Sequence, residues 1–298
     1  MRVVFFGTPE DAVPSLRSLL NAGHDVALVV TQPDRRRSRG PGADPSPVKR
    51  EAAELGLAVA TPAKAREVVE SVRASGAELG VVVAFGQLLP VSLLEAVPHG
   101  FVNVHFSLLP RWRGAAPVER AILAGDTHTG VCLMRVEAGL DTGPVYASRR
   151  VTIGADETAG ELRARLAALG ADLLVEHLPS LPAATPDAQV GDATYADKLT
   201  VDEFRIDPLR TATELSRVVR AGNPKPGAWF VVDGRRVKVW RAHAEPDGDD
   251  RAGGIDARAR LATADGALAL DEVQPEGKRA MTGVDWRRGL RSRPTVDR

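Results

Sequence analysis

Asn103 and His105 stand two residues apart at the head of the stretch 103–117, NVHFSLLPRWRGAAP. In an extended chain, residues i and i+2 project from the same face. An amide and an imidazole therefore enter one space, and histidine is the side chain whose unperturbed titration lies near neutrality. Apolar residues Phe101 and Val102 precede the pair, while Pro110, Gly114 and Pro117 follow it. That order reads as the end of a buried strand running into a loop, the position at which open α/β sheets bind ligands. A strand end held by ordinary hydrogen bonds has the same pattern, so the spacing alone leaves catalysis and structure both open. Asp141 lies between glycines in 139–143, GLDTG, and by itself reads as a turn residue. Cys132 sits in an apolar run and reads as a small core residue. The six histidines show no ligand spacing with cysteines or carboxylates, so no metal is expected.

Elements must carry these groups to one place. Residues 3–6 are an apolar run closed by Gly7-Thr8-Pro9, which reads as a buried first strand and a turn. Thr8 is placed to cap a helix starting at Pro9, with Asp11 near its positive end. Residues 25–31 form the next strand, and strand–helix–strand opens a parallel sheet. The turn is GTPE rather than GxGxxG, which removes a dinucleotide-binding reading. Helices are expected over 46–55, 63–74, 117–124 and 157–178, and strands over 58–60, 79–84, 101–104, 130–136 and 145–153. The continuous apolar run 79–84, LGVVVA, reads as a central strand buried on both faces. It runs into Phe85-Gly86-Gln87-Leu88-Leu89-Pro90, where Gly86 allows close backbone approach and Phe85 and the leucines offer an apolar wall. A plain strand-to-helix turn looks the same.

Residues 179–190 are rich in proline and alanine and read as a linker. A helix over 209–221 follows. Then come paired runs 228–232 and 236–240 about Asp233-Gly234, and 261–263 and 267–270 about Asp265-Gly266. Short strands with turns suggest a small β-barrel, with a mobile acidic loop over 247–254.

The chain of 298 residues is 44% hydrophobic and 26% charged, with no net formal charge, so no global basic field announces a nucleic-acid partner. Residues 206–298 nevertheless hold 18 Lys and Arg against 14 Asp and Glu, while 1–205 hold 21 against 25. The excess mildly favours the C-terminal part meeting a polyanion. Arg35, Arg36, Arg37 and Arg39 crowd the segment 32–49, QPDRRRSRGPGADPSPVK, which fits a solvated loop or a phosphate-contacting one. Lys278 and Arg279 form a second basic pair. One cysteine excludes an internal disulfide and fits a reducing cytoplasm. No apolar run reaches the roughly 18 residues of a membrane span, and the N-terminal run is too short for a signal segment.

NVHFSLLPRWRGAAP followed by GLDTG resembles the folate-dependent formyltransferases, and among them most of all the methionyl-tRNA formyltransferases. FFGTPE at the start, TQPDR and PSPVK around the arginines, Arg39-Gly40, TYA-x-KL at 194–199 and QPEGKRAM at 274–281 extend the resemblance nearly end to end. It implies a Rossmann-like formyltransferase domain with a mostly parallel sheet over 1–182, a linker over 183–205, and an OB-like C-terminal β-barrel over 206–298 that binds tRNA. It implies formyl transfer from 10-formyltetrahydrofolate to the α-amino group of initiator methionyl-tRNA, by a cytoplasmic monomer without metal, DNA or membrane. Asn103 and His105 would donate hydrogen bonds to the oxyanion, His105 would also serve as general acid or base, and Asp141 would orient it. Phe85, Gly86, Gln87, Leu88 and Leu89, with Ser107, Leu108, Leu109 and Pro110, would line the folate site. Arg35, Arg36, Arg39, Lys278 and Arg279 would meet tRNA. The chain departs from the family pattern at 41–44, at Phe106 where a small residue is common, and at Pro208 where tryptophan is usual. A formyltransferase for a small amine, such as a nucleotide-linked amino sugar or glycinamide ribonucleotide, is the competing enzyme. An RNA-binding protein on a degenerate scaffold is the non-enzymatic one.

Overall fold

The computed structural model describes residues 1–36, 43–246, 252–290 and 294–297. The chain folds into two compact units. The first holds Met1–Pro117, His128–Val151 and Arg163–Asp197; the second holds Val118–Thr127, Thr152–Leu162 and Lys198–Arg298.

The chain opens with β1 (Arg2–Gly7), α1 (Val13–Asn21) and β2 (Asp25–Val30). Two-residue strands β3 (Arg35–Arg36) and β4 (Ala43–Asp44) pair antiparallel, then α2 (Pro47–Glu54) starts under the Ser46 side chain, which accepts the Lys49 N–H. After β5 (Val59–Ala60) come α3 (Val69–Ala74), β6 (Leu79–Val83), the single turn α4 (Val91–Leu94) and β7 (Phe101–His105). The expected helix 63–74 thus starts as a 3₁₀ turn over Ala65–Val68. A short β8 (Arg113–Gly114) precedes α5 (Pro117–Ala124), β9 (His128–Arg135), β10 (Val145–Thr152) and α6 (Ala159–His177). Finally β11 (Tyr195–Ala196) lies parallel to β8.

The main sheet of the first unit runs β10-β9-β7-β6-β1-β2-β5. β1, β2, β5, β6 and β7 are mutually parallel and β9 is antiparallel to β7, so the mostly parallel sheet is as expected. The chain builds outward from β1 through β2 to β5, then crosses back to put β6 on the other side of β1. That reversal opens a crevice beyond the strand ends, where Gly7, Val83 and His105 finish β1, β6 and β7. β6 is buried at every residue, as its unbroken apolar run requires. Phe6 joins β1 to its neighbours, with Phe85 and Phe101 edge-on to it at 5.2 and 5.4 Å.

Thr8 does not cap a helix. Its hydroxyl donates to the Phe85 carbonyl (3.1 Å), and a 3₁₀ turn over Glu10–Ala12 precedes α1. A carbonyl exposed by the turn after β6 takes the donor that a cap would have used.

In the second unit, α7 (Ala212–Gly222) begins with a reciprocal capping box between Thr211 and Glu214. β12 (Ala228–Val232), β13 (Arg235–Glu245), β14 (Arg260–Ala262), β15 (Ala267–Pro275) and β16 (Met281–Thr282) lead to α8 (Gly283–Arg288). The pairings are antiparallel in the order β12-β13-β15-β14, with β16 on β15. The expected barrel is not closed among the described residues. The ladder keeps two edges, β12 and β14, and α7 and α8 pack against strands of this sheet. Phe230, Leu215, Val218 and Leu268 are fully buried, and Phe230 tilts against Trp286. Pro208 sits second in a turn closed by Arg210 N–H to Asp207 O at 3.0 Å, a place that favours its fixed φ. Most of the acidic loop 247–254 lies outside the described residues. Among the described residues no helix is long and apolar enough to cross a membrane.

Candidate active site

His105 ends β7 and is 5% exposed. Cys132 of β9 is its ladder partner. Its Nε2 lies 2.9 Å from the Trp112 carbonyl, and a carbonyl only accepts, so Nε2 carries the proton in this arrangement. Its Nδ1 faces Asp141 Oδ2 at 3.6 Å, within ion-pair range and beyond hydrogen-bond length. Asp141 Oδ2 also accepts the Gly114 N–H at 2.8 Å. The imidazole is thus bracketed by two loops distant in sequence.

Both bracketing residues hold left-handed backbone, Trp112 at φ 63° and Asp141 at φ 50°. Aspartate tolerates this through its short polar side chain. For a bulky tryptophan it costs about 1–3 kcal/mol and persists only where surroundings over-determine it. Here the Trp112 N–H donates to Thr194 Oγ1 (2.9 Å), its carbonyl takes His105, and the Arg111 guanidinium covers its ring at 4.5 Å.

Asn103 pairs with Val82 and Met134 across the sheet. Its side chain is half-buried and has no hydrogen-bond partner among the described residues. Asp141 is therefore brought to His105 at the end of β7, and Asn103 stands two residues earlier on the same strand.

The expected apolar wall divides. Phe85 is 1% exposed and packs into the core with Val4, Phe6 and Leu93; its ring is not an open surface. Its carbonyl takes both Thr8 Oγ1 and Gln32 Nε2. Gly86 has φ +83°, and a Cβ there would stand 2.7 Å from Gln32 Nε2, so the close approach it permits is to Gln32. Gln87 spans Ala65 N–H (2.8 Å) and Ala63 O (3.3 Å). Leu89 is buried, whereas Leu88 is 70% exposed. Ser107 is fully buried and donates to Arg111 O at 2.6 Å, while Leu108, Leu109 and Pro110 are half-buried. Phe106 is 7% exposed and belongs to the core rather than to a pocket rim.

Arg35 and Arg36 form β3, on the described edge of the basic segment; Arg37, Arg39 and residues 41–42 lie outside the described residues. Lys278 and Arg279 are exposed beyond β15. Among the described residues no group of three or more His, Cys, Asp or Glu could hold a metal ion.

Two contributors are not legible from local sequence, and both lie in the expected linker. Thr194 holds Trp112, and Gln189 bonds Arg113 and the carbonyls of Asp141 and Gly143. The TYA-x-KL match is the only pointer to Thr194, and nothing local points to Gln189.

Residues 1–178 match the family model described as formyl transferase, and 198–291 match the formyl transferase C-terminal domain. The chain is 46% identical to a methionyl-tRNA formyltransferase of Ruegeria pomeroyi over 97% of both chains. It is 48% identical to that of Thermus thermophilus, covering 97% of this chain and 96% of the relative. Among solved structures, WlaRD, a sugar 3N-formyl transferase crystallised with dTDP and 5-N-formyl-THF, superposes with a TM-score of 0.70 at 16% identity. The match spans 94% of this chain and 99% of that one, and at that identity the likeness is one of fold.

Proposed function

The chain belongs to the formyl transferase family through both its N-terminal and its C-terminal domain, and on that footing we propose that it transfers the formyl group of 10-formyltetrahydrofolate to the α-amino group of initiator methionyl-tRNA, for translation initiation. Near-full-length relatives named for this reaction support the substrate pair. The observation that carries the chemistry is His105, buried between the Trp112 carbonyl and the Asp141 carboxylate, with the Asn103 amide, unpaired among the described residues, two positions away.

The attacking amine must be neutral, and negative charge develops on the formyl oxygen as it attacks. Asn103 donates its amide N–H to that oxygen. His105 redirects its Nε2–H from Trp112 to the same place. One such preorganised donor contributes about 3 kcal/mol. The tetrahedral carbon then collapses: its bond to the folate nitrogen breaks, that nitrogen gains a proton, the new ammonium loses one, and His105 relays between them as general acid and base. Asp141 orients the ring and offsets positive charge on it.

The formyl donor presents a flat pterin with apolar faces and a polar edge. Exposed Leu88 and half-buried Leu108, Leu109 and Pro110 suit the faces, and the main chain of Gly86 and Gln87 suits the edge. Phe85 and Ser107 serve this site by anchoring its loops, through Phe6 and Arg111 O respectively. Arg35, Arg36 and Arg39, with Lys278 and Arg279, are read as phosphate-facing on the tRNA. On this reading the protein works as a cytoplasmic monomer, and its C-terminal unit is an OB-like module built on the antiparallel ladder β12-β13-β15-β14.

The test is formyl transfer from 10-formyltetrahydrofolate to initiator methionyl-tRNA, with elongator methionyl-tRNA, free methionine and an amino-sugar nucleotide as parallel acceptors. Preference for the initiator is expected. Transfer to the amino-sugar nucleotide alone would replace the proposal with the small-amine reading.

A further inference from the structure

Gln189 lies in a stretch whose composition reads as a tether, yet its side chain is wired into both loops that bracket His105. Its Nε2 donates to Asp141 O at 2.8 Å and to Gly143 O at 2.7 Å. Its Oε1 accepts from Arg113 Nε at 3.1 Å and Arg113 Nη2 at 2.7 Å. The orientation of the amide is fixed by chemistry: a guanidinium only donates and a carbonyl only accepts. Flipping the amide would break all four bonds. Arg113 directly follows Trp112, whose carbonyl takes His105 Nε2, and Asp141 is the residue whose carboxylate faces His105 Nδ1. All of these residues belong to the first compact unit.

We propose that Gln189 is a positioning residue for formyl transfer, acting through Asp141: it pins the main chain of 141–143 so that the Asp141 carboxylate stays on His105. The inference rests on the catalytic reading of His105 and Asp141 given above. Its physical basis is the left-handed backbone of Asp141. A peptide in that region swings readily once its carbonyl is freed, and rotation about ψ carries the side chain with it. Holding the carbonyls of residues 141 and 143 fixes the loop on both sides of Thr142. Glutamine is the residue type that fits, because only an amide presents an acceptor to Arg113 and two donors to the carbonyls at once. Glutamate would keep Arg113 but set an anionic oxygen against two carbonyl oxygens.

The test uses the full-length chain with four variants: Gln189→Ala, Gln189→Glu, Asp141→Asn, and Asp141→Asn combined with Gln189→Ala. Expected is a fall in kcat of about 30-fold for Gln189→Ala, since misplacement by 1 Å can cost about 100-fold. Gln189→Glu should lose at least as much although it retains the contact with Arg113. KM for 10-formyltetrahydrofolate and for methionyl-tRNA should stay within about 3-fold, which marks a loss confined to the transition state. Because Gln189 acts through Asp141, adding Gln189→Ala to Asp141→Asn should lower kcat no further. A structural staple would instead give additive losses together with a lower Tm. Near-native kcat in Gln189→Glu, loss confined to KM, or additivity in the double variant would each overturn the proposal. Wild-type kcat in Asp141→Asn would overturn the catalytic reading itself, so the two failures are distinguishable.

Discussion

Gly114→Ala tests the geometry of the site through a residue that contributes no side chain to it. Gly114 has φ +121°, and a Cβ there would lie 2.8 Å from Ala196 O. Ordinary contact begins near 3.4 Å, so the backbone must shift by about 0.6 Å or the β8–β11 pairing must open. Either response moves the Gly114 N–H, now 2.8 Å from Asp141 Oδ2, to about 3.4 Å, beyond the usual N–H···O range, where the hydrogen bond is much weakened. A hydrogen bond to a charged group is worth about 1.5–3 kcal/mol. Backbone strain at such a φ adds about 1–3 kcal/mol to the folded state. Asp141 then drifts relative to His105, and the expected result is a kcat reduced by about 10–100-fold. Together the weakened hydrogen bond and the strain lower the unfolding free energy by about 2.5–6 kcal/mol. Formyl transfer under saturating substrates and urea unfolding monitored by circular dichroism measure the two effects. A variant with native kcat and lowered stability would refute the claim that this backbone contact sets the carboxylate. A variant native in both would refute the packing of 195–196 on 113–114.

Two further outcomes follow from a buried thiol and a paired histidine. Burial pushes the Cys132 thiol up to about 11, and the residue is 2% exposed. Iodoacetamide at pH 8 should leave the folded protein unlabelled and modify one site in denaturant; mass spectrometry distinguishes this from a reactive thiol. The Asp271 carboxylate, hydrogen-bonded to His243 Nδ1 at 2.9 Å, raises the pKa of that histidine, with Glu245 contributing. A raised folded-state pKa gives stability that is complete below the unfolded value near 6.5 and lost as pH rises through the folded one. Because His243 is half-exposed, the amount is small, about 0.5 kcal/mol. Urea unfolding should therefore find His243→Gln less stable than the native protein at pH 5.5 and equal to it at pH 8.5. A deficit that grew with pH would contradict the pairing.

Legibility from sequence followed the range of the interactions. Strands β1 and β6 could be read because an unbroken apolar run is what a strand buried on both faces needs, and β7 because its apolar start switches to polar residues where the strand runs into a loop. Asn103 and His105 could be paired because the i, i+2 relation is local. The cap expected of Thr8 failed for want of a long-range fact: the Phe85 carbonyl, 77 residues away, competes for its hydroxyl. The open face expected of Phe85 failed similarly. Ala84 and Gly86 both adopt positive φ, and the chain between them turns the ring back onto Phe6. Barrel closure depends on register between distant strands, which turn residues do not encode.

In the segment 187–196 the dependence on distant partners is most complete. Proline, alanine and small polar residues signal a tether because they offer no apolar face to bury. That inference holds only where the polar groups lack partners. Here Asp187 pairs with Val145, Gln189 with Arg113 and two carbonyls of 141–143, and Thr194 with Trp112. None of those partners falls within any local window: Trp112 and the 141–143 carbonyls lie in loops, Val145 begins β10, and Arg113 reaches Gln189 through its side chain. The histidine could be found from its own strand. The hydrogen bonds that hold its surroundings come from a stretch whose partners lie 46 to 82 residues away, in the very loops it serves.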